Sequence, residues 1–191
     1  MTDVSDKALE NGKKIITKSL TRIARKKFPD SEEEQKKLIQ ATFDNIQTTT
    51  DAATAVKSTD LVIEAIVENL KTKQELFRRL DELAPKDAIF ASNTSSLSIT
   101  AIAQPTSDSR KVRFAGFHAF NPVPQMKLVE VVRTEQTDED TSSSLLELCK
   151  TMKKTPVLCK DTPGYALVWN RLGLTDCMQF CGQPIASAIH A

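Results

Sequence analysis

The sequence predicts an α/β fold built on a largely parallel sheet, and three observations carry that expectation. Apolar runs of strand length stand at Leu61–Ala65, Ile89–Ala91, Phe114–Phe117, Leu128–Val132 and Val157–Cys159. Over most of the chain they alternate with stretches of helical periodicity, the pattern of strands joined by crossover helices. Their nearly continuous apolar character fits strands covered on both faces, as in parallel sheets.

The elements follow in order. Asp6–Phe28 reads as a helix, because Leu9, Ile15, Ile16, Leu20, Ile23 and Phe28 cluster towards one side. Pro29-Asp30-Ser31 ends it, and Ser31 before three glutamates reads as the cap of a second helix running through Phe43. A short strand near Ile46–Thr50 and a small helix over Ala52–Lys57 lead to the strand Leu61–Ala65. Asn69–Leu83 is then helical, Ile89–Ala91 a strand and Ile99–Ala103 a short helical turn. Phe114–Phe117 and Leu128–Val132 form a strand–turn–strand unit, parallel pairing being expected chiefly in the first half of the sheet. Asp138–Met152 is a helix and Val157–Cys159 the last strand. Lys160–Pro163 reads as a linker, and the residues beyond it are too few for an independent core.

The 191 residues suit one domain of ordinary size, or one plus a fragment. With 40% hydrophobic and 27% charged residues the chain can bury a core. A net charge of +1 argues against a general nucleic-acid binder. No apolar run approaches a membrane span. The opening MTDVSDKALENGKK lacks the apolar core of a signal peptide and is too acidic for a transit peptide. Cys149, Cys159, Cys177 and Cys181 have no zinc-ligand spacing, so buried or reduced thiols are expected and no metal site.

The chemistry concentrates in FAGFHAFNPVPQMKLVEV, residues 114–131. It holds His118, one of two histidines, and places Glu130 among valines. A carboxylate inside a β-run is costly to bury without a partner, and a histidine on the neighbouring strand is the obvious candidate. Such a partner fixes the ring's tautomer and raises its basicity, as a general base requires. Read without its neighbours, the pair is better explained as a core histidine and a solvated edge glutamate. A second cluster is the basic helix: residues 7–27 hold eight Lys/Arg and one acid, Glu10. Lys14, Lys18, Arg22 and Lys26 recur every four residues and share a face, which suits a polyanionic ligand or simply solvent.

The 114–131 stretch resembles the signature of the 3-hydroxyacyl-CoA dehydrogenases, NAD-dependent enzymes of fatty-acid β-oxidation. AIVEN at 65–69, ASNTSSL at 91–97 and KDTPG at 160–164 follow in family order. The likeness is closest to the short-chain, single-function mitochondrial type. It implies oxidation of a 3-hydroxyacyl-CoA by hydride transfer from C3 to NAD, with His118 as base and Glu130 as the carboxylate that orients it. It further implies cofactor contacts at Asp3, Glu68, Lys73, Ser95 and Asn121, and substrate contacts at Ser19, Lys26, Ser95, Asn121 and Asn170. Taken by themselves, Ser95 and Asn121 are ordinary turn residues, and Glu68 and Lys73 charges near a helix N-terminus. A mitochondrial matrix location and homo-oligomers are also implied, the latter through a helical domain not matched here.

The resemblance also has gaps. The family begins with a strand and a G-x-G-x-x-G turn that holds the cofactor pyrophosphate on backbone amides. The five glycines of this sequence stand singly, so an incomplete Rossmann-like doubly wound sheet is expected, lacking its first strand and glycine loop. Residues 1–160 would form this partial NAD-binding domain. Residues 161–191 would be a linker and a divergent, vestigial remnant of the C-terminal helical domain. Such a chain would be weakly active or inactive, binding acyl-CoA or an intact subunit without turnover.

Overall fold

A computed structural model describes residues 1–162. Asn170, Cys177, Cys181 and almost all of the expected 161–191 remnant lie outside the described residues. The chain divides into two compact units, Met1–Lys57 and Ser58 onward.

The first unit is helical. Helix α1 (Asp6–Lys27) starts at Ser5, whose hydroxyl accepts from the Ala8 N–H at 3.2 Å, and carries Arg25, Lys26 and Lys27 in its last turn. Both ends suit the helix dipole. Helix α2 (Glu32–Phe43) is capped by Ser31 and opens on Glu32, Glu33 and Glu34, as the sequence indicated. Helix α3 (Ala52–Val56) is capped by Asp51, which accepts from Ala53 and Thr54. The strand expected at Ile46–Thr50 is absent. Thr49 makes one parallel bridge to Thr2, and its N–H donates to the Met1 carbonyl at 3.2 Å. A strand needs a partner to satisfy its backbone, and only Met1–Asp3 runs beside this segment.

The second unit is a five-stranded sheet in the order β1-β2-β3-β4-β5. Its elements are β1 (Leu61–Glu64), α4 (Leu70–Asp81), β2 (Ile89–Ser92), α5 (Ile99–Ala103), α6 (Asp108–Lys111), β3 (Phe114–Ala119), β4 (Leu128–Arg133), α7 (Glu139–Thr151) and β5 (Thr155–Lys160). Strands β1, β2 and β3 are parallel, β3 and β4 antiparallel, and β4 and β5 parallel again.

Side-chain alternation sorts the two faces of this sheet. Ala91, Ala115, Phe117, Val129 and Val131 form one face and pack with Leu145 and Cys149 of α7. On the other face Phe90 and Phe114 meet Phe77 of α4, with the Phe77 and Phe114 centroids 4.6 Å apart and tilted 70°. The coverage expected on both faces holds for β2, β3 and β4 but not for β1. That strand lies at the edge of the described sheet, leaves Ile63 44% exposed and ends one residue early, at Glu64.

Two features had no sequence signal. Helix α6 is a single turn whose Arg110 is 2% exposed. Arg110 pairs with Asp81 at 2.8 Å, donates to the Pro85 and Ala88 carbonyls and lies over the Phe90 ring. Nor is the start of the expected 160–163 linker loose. The Asp161 carboxylate accepts from the Ser98 hydroxyl and from the N–H groups of Ile99 and Thr100 at 2.8–2.9 Å, joining the end of β5 to the first turn of α5.

Gly116 is where this packing is tightest. A Cβ there would stand 2.8 Å from Val132 Cβ and 2.9 Å from Ile99 Cδ1. Val132 is fixed on the neighbouring strand, so the added methyl overpacks the α5 face. Gly116→Ala is therefore expected to destabilise the protein by about 1–3 kcal/mol, read from urea denaturation.

Candidate active site

The polar residues of the sheet collect at the carboxyl ends of β1, β2 and β3, on the face that carries Phe90 and Phe114. Register explains this. Glu64 pairs with Ser92, Ser92 with Gly116, Gly116 with Val132 and His118 with Glu130. Crevices at the carboxyl ends of parallel strands are where open α/β sheets bind ligands.

His118 and Glu130 stand directly opposite one another across the antiparallel β3–β4 pair. His118 Nδ1 lies 2.8 Å from Glu130 Oε2, with the Glu130 side chain 1% and the imidazole 9% exposed. Ionised, Glu130 accepts only, so the proton of this bond sits on Nδ1 and a neutral ring keeps its lone pair on Nε2. Nε2 is 3.0 Å from the Ser95 hydroxyl, which then donates to it. Phe120 packs beside the ring with centroids 4.4 Å apart. The arrangement is a carboxylate, an oriented imidazole and a hydroxyl in sequence, able to take a proton at Nε2.

Ser95 belongs to a turn of residues 94–96 held by Glu68. Thr94 donates its hydroxyl to Glu68 Oε1, the Ser95 N–H donates to the same oxygen at 3.2 Å, and the Ser96 hydroxyl reaches it at 3.4 Å. Burial pushes the Glu68 carboxyl up. The Thr94 and Ser95 bonds and the Lys73 charge outweigh it and leave the group below the ordinary carboxylate range. Lys73 lies near the start of α4, as the sequence indicated, and is entirely buried: its ammonium lies 2.6 Å from Glu64 and 3.4 Å from Glu68. Its burial follows from its place on the inner side of α4, with Phe77 one turn on and also buried.

The structure thus brings Ser95, His118, Glu130, Glu68 and Lys73 into one connected set. Asn121 follows β3 by two residues, exposed, at a cis bond to Pro122. Asp3, Ser19 and Lys26 belong to the helical unit. Asp3 accepts from its neighbour Val4 N–H at 2.7 Å, Ser19 is half-buried and Lys26 exposed on α1. Three residues of the cluster escaped sequence reasoning: Glu64, Ser92 and Asn93. The Asn93 side chain accepts the Ala119 N–H at 2.9 Å and so fixes the end of β3 just beyond His118. An acidic residue closing an apolar strand, with a lysine on the following helix, was the available signal for Glu64.

A mostly parallel sheet with polar residues gathered at the carboxyl ends of its parallel strands is of the Rossmann-like kind. Residues 1–162 match the family described as 3-hydroxyacyl-CoA dehydrogenase, NAD binding domain. The chain belongs to the 3-hydroxyacyl-CoA dehydrogenase family, whose cofactor is NAD. It is similar to the mitochondrial hydroxyacyl-coenzyme A dehydrogenases of Rattus norvegicus and Homo sapiens, with 53% and 52% identity over 172 residues. Each match covers 90% of this chain and 54% of the relative, so the chain spans about half the length of the curated relatives it matches. Among solved structures it resembles 3-hydroxybutyryl-CoA dehydrogenase from Escherichia coli, with a TM-score of 0.77 and 37% identity, covering 87% of this chain and 34% of that one. The (S)-3-hydroxybutyryl-CoA dehydrogenase of Ralstonia eutropha gives 0.76 and 38%, covering 87% and 56%. Among the described residues no helix is long and apolar enough to cross a membrane.

The lowered Glu68 carboxyl has a consequence for stability. A carboxylate with a depressed folded-state pKa contributes stability that is complete above its unfolded value and is lost as pH falls through the folded one. Thermal melts of the wild type should therefore lose a contribution as pH drops below about 4.5, the ordinary value for glutamate. Glu68→Gln is expected to flatten that part of the profile relative to wild type.

Proposed function

We propose that this chain contributes the proton-abstracting half of a 3-hydroxyacyl-CoA dehydrogenase, with His118 Nε2 taking the proton of the substrate's 3-hydroxyl. The contact that carries the reading is the Glu130–His118–Ser95 chain at 2.8 and 3.0 Å. Glu130 holds the ring so that Nε2 is basic and stabilises the cation that forms once the proton arrives. Ser95 marks where a substrate oxygen would stand, since its own hydroxyl already satisfies Nε2. Asn121, exposed beside this position, would meet the substrate's carbonyl end, and Asn170 would join it. In this reading residues 1–160 form the cofactor domain, and residues 161–191 are the linker and segment that follow it.

NAD, when bound, supplies the hydride acceptor. The donor set fits its nicotinamide–ribose end: Glu68 is an ionised carboxylate whose side chain is 42% exposed, next to the Ser95 hydroxyl, and ribose hydroxyls can donate to it. Lys73 backs Glu68 from within, and Asp3 is the candidate for the adenine ribose. Ser19 and the exposed Lys26 on the basic face of α1 would bind the phosphates of CoA. The mitochondrial relatives support a matrix location.

His118→Ala should lower NADH formation from 3-hydroxybutyryl-CoA by ~10²–10⁴-fold, the usual worth of a placed base. Wild-type turnover that survives this substitution would overturn the assignment.

A second reading is favoured by the basic face of α1, where Lys14, Lys18, Arg22 and Lys26 recur every four residues and suit a polyanionic ligand. On this reading the polypeptide binds acyl-CoA, or an intact subunit, without turnover. Isothermal titration separates the two: CoA binding with neither NAD binding nor turnover favours the second. Under either, Lys26→Glu is expected to weaken CoA several-fold, and unchanged affinity would dismiss that contact.

A further inference from the structure

We propose that Glu64 is a positioning residue for the Ser95–His118 contact, acting through Lys73 and Glu68. The inference rests on the reading of His118 as base, but its test needs no ligand.

Glu64 is 3% exposed at the end of β1 and is itself held on three sides. The Ile66 N–H donates to Oε1 at 2.6 Å, the Ser92 hydroxyl donates to Oε2 at 2.5 Å, and the Lys73 ammonium meets Oε1 at 2.6 Å. Glu64 is thus a fixed anion embedded between two strands and a helix. Lys73 is fully buried, and an ammonium taken out of water stays charged only beside a close anion. Glu64 is the nearer of its two carboxylates and Glu68, at 3.4 Å, the farther.

Glu68 differs from Glu64 in being partly open to water, held among the described residues by Lys73 and the 94–96 turn. It in turn is the acceptor that gathers Thr94, Ser95 and Ser96 onto one oxygen. The connection therefore runs from the interior outward: Glu64 fixes Lys73, Lys73 restrains Glu68, Glu68 fixes the turn, and the turn presents the Ser95 hydroxyl to His118 Nε2. Replacing the Glu64 charge leaves Lys73 with Glu68 as its only carboxylate. The ammonium then draws Glu68 inward off the turn, and Ser95 leaves the imidazole.

The test is the ¹⁵N spectrum of the histidine side chains, recorded on the full chain without ligand. The sequence holds two histidines, so His118 is identified by loss of its signals in His118→Ala. Ser95→Ala supplies the reference for an Nε2 that has lost the serine hydrogen bond. Glu64→Gln, melting cooperatively, should move the Nε2 signal to the Ser95→Ala position while Nδ1, held by Glu130, stays where it is in the wild type. An Nε2 signal unchanged from wild type in the folded variant would overturn the proposal. Should Glu64→Gln fail to melt cooperatively, the charge-balanced Glu64→Gln/Lys73→Met variant is read in the same way. The Ser95→Ala signature there supports the relay, and the wild-type signature refutes it. Failure of the functional reading shows instead as wild-type turnover that survives His118→Ala, a result independent of this spectrum.

Discussion

An ionised carboxylate taken out of water costs several kcal/mol unless its oxygens are matched, and Glu130 lies inside a β-strand at 1% exposure. Its partner is set by register, which places His118 opposite it across β3 and β4. A slip of one residue would carry Glu130 to the face beneath α7 and set it against Leu145 and Cys149, while His118 faced a valine. The geometry of the NPVPQMK turn, the valines around Glu130 and the orientation of His118 are thus one constraint seen from three sides.

The same physics recurs at Glu64 and Lys73. The buried carboxylates of β1 and β4, Glu64 and Glu130, lie on the α4–α5 face, each in a matched set beside the carboxyl ends of the parallel strands. One set, Glu130 with His118, borders the 94–96 turn through Nε2. The other, Glu64 with Lys73 and Glu68, borders it through the Ser95 N–H. A turn that would be an adaptable serine-rich loop is gripped from two sides, which gives a preorganised hydroxyl in place of a mobile one. Asp161, donated to by α5 and Ser98, closes the same region from β5.

Much of this was legible in the residues. Strands β3 and β4 announced themselves as apolar runs about a proline-rich turn, and α2 by Ser31 before three glutamates, a cap that accepts from the Glu34 N–H. The His118–Glu130 pairing could be expected because a lone acid among valines demands a partner. What stayed hidden was decided by tertiary contact. Ile46–Thr50 has strand-forming residues but only a three-residue neighbour to pair with. Helix α6 is one polar turn, too short for periodicity, and exists because Arg110 reaches Asp81 and two carbonyls. Lys73 looks like any surface lysine until the helix it sits on is rolled onto the sheet, and Glu64 was absorbed into a run read as uniformly apolar. Roles for Glu68 and Ser95 came from family likeness, since spacing alone gave only a cap and a turn.

The most direct measurement is the tautomer of His118 in the wild-type protein, read from one-bond ¹⁵N–¹H couplings of the neutral imidazole. The account requires the proton on Nδ1, directed at Glu130, with Nε2 bare and accepting from Ser95. A proton found on Nε2 would mean that Glu130 does not orient the ring through Nδ1–H, and the basic nitrogen on which the proposed chemistry depends would not exist.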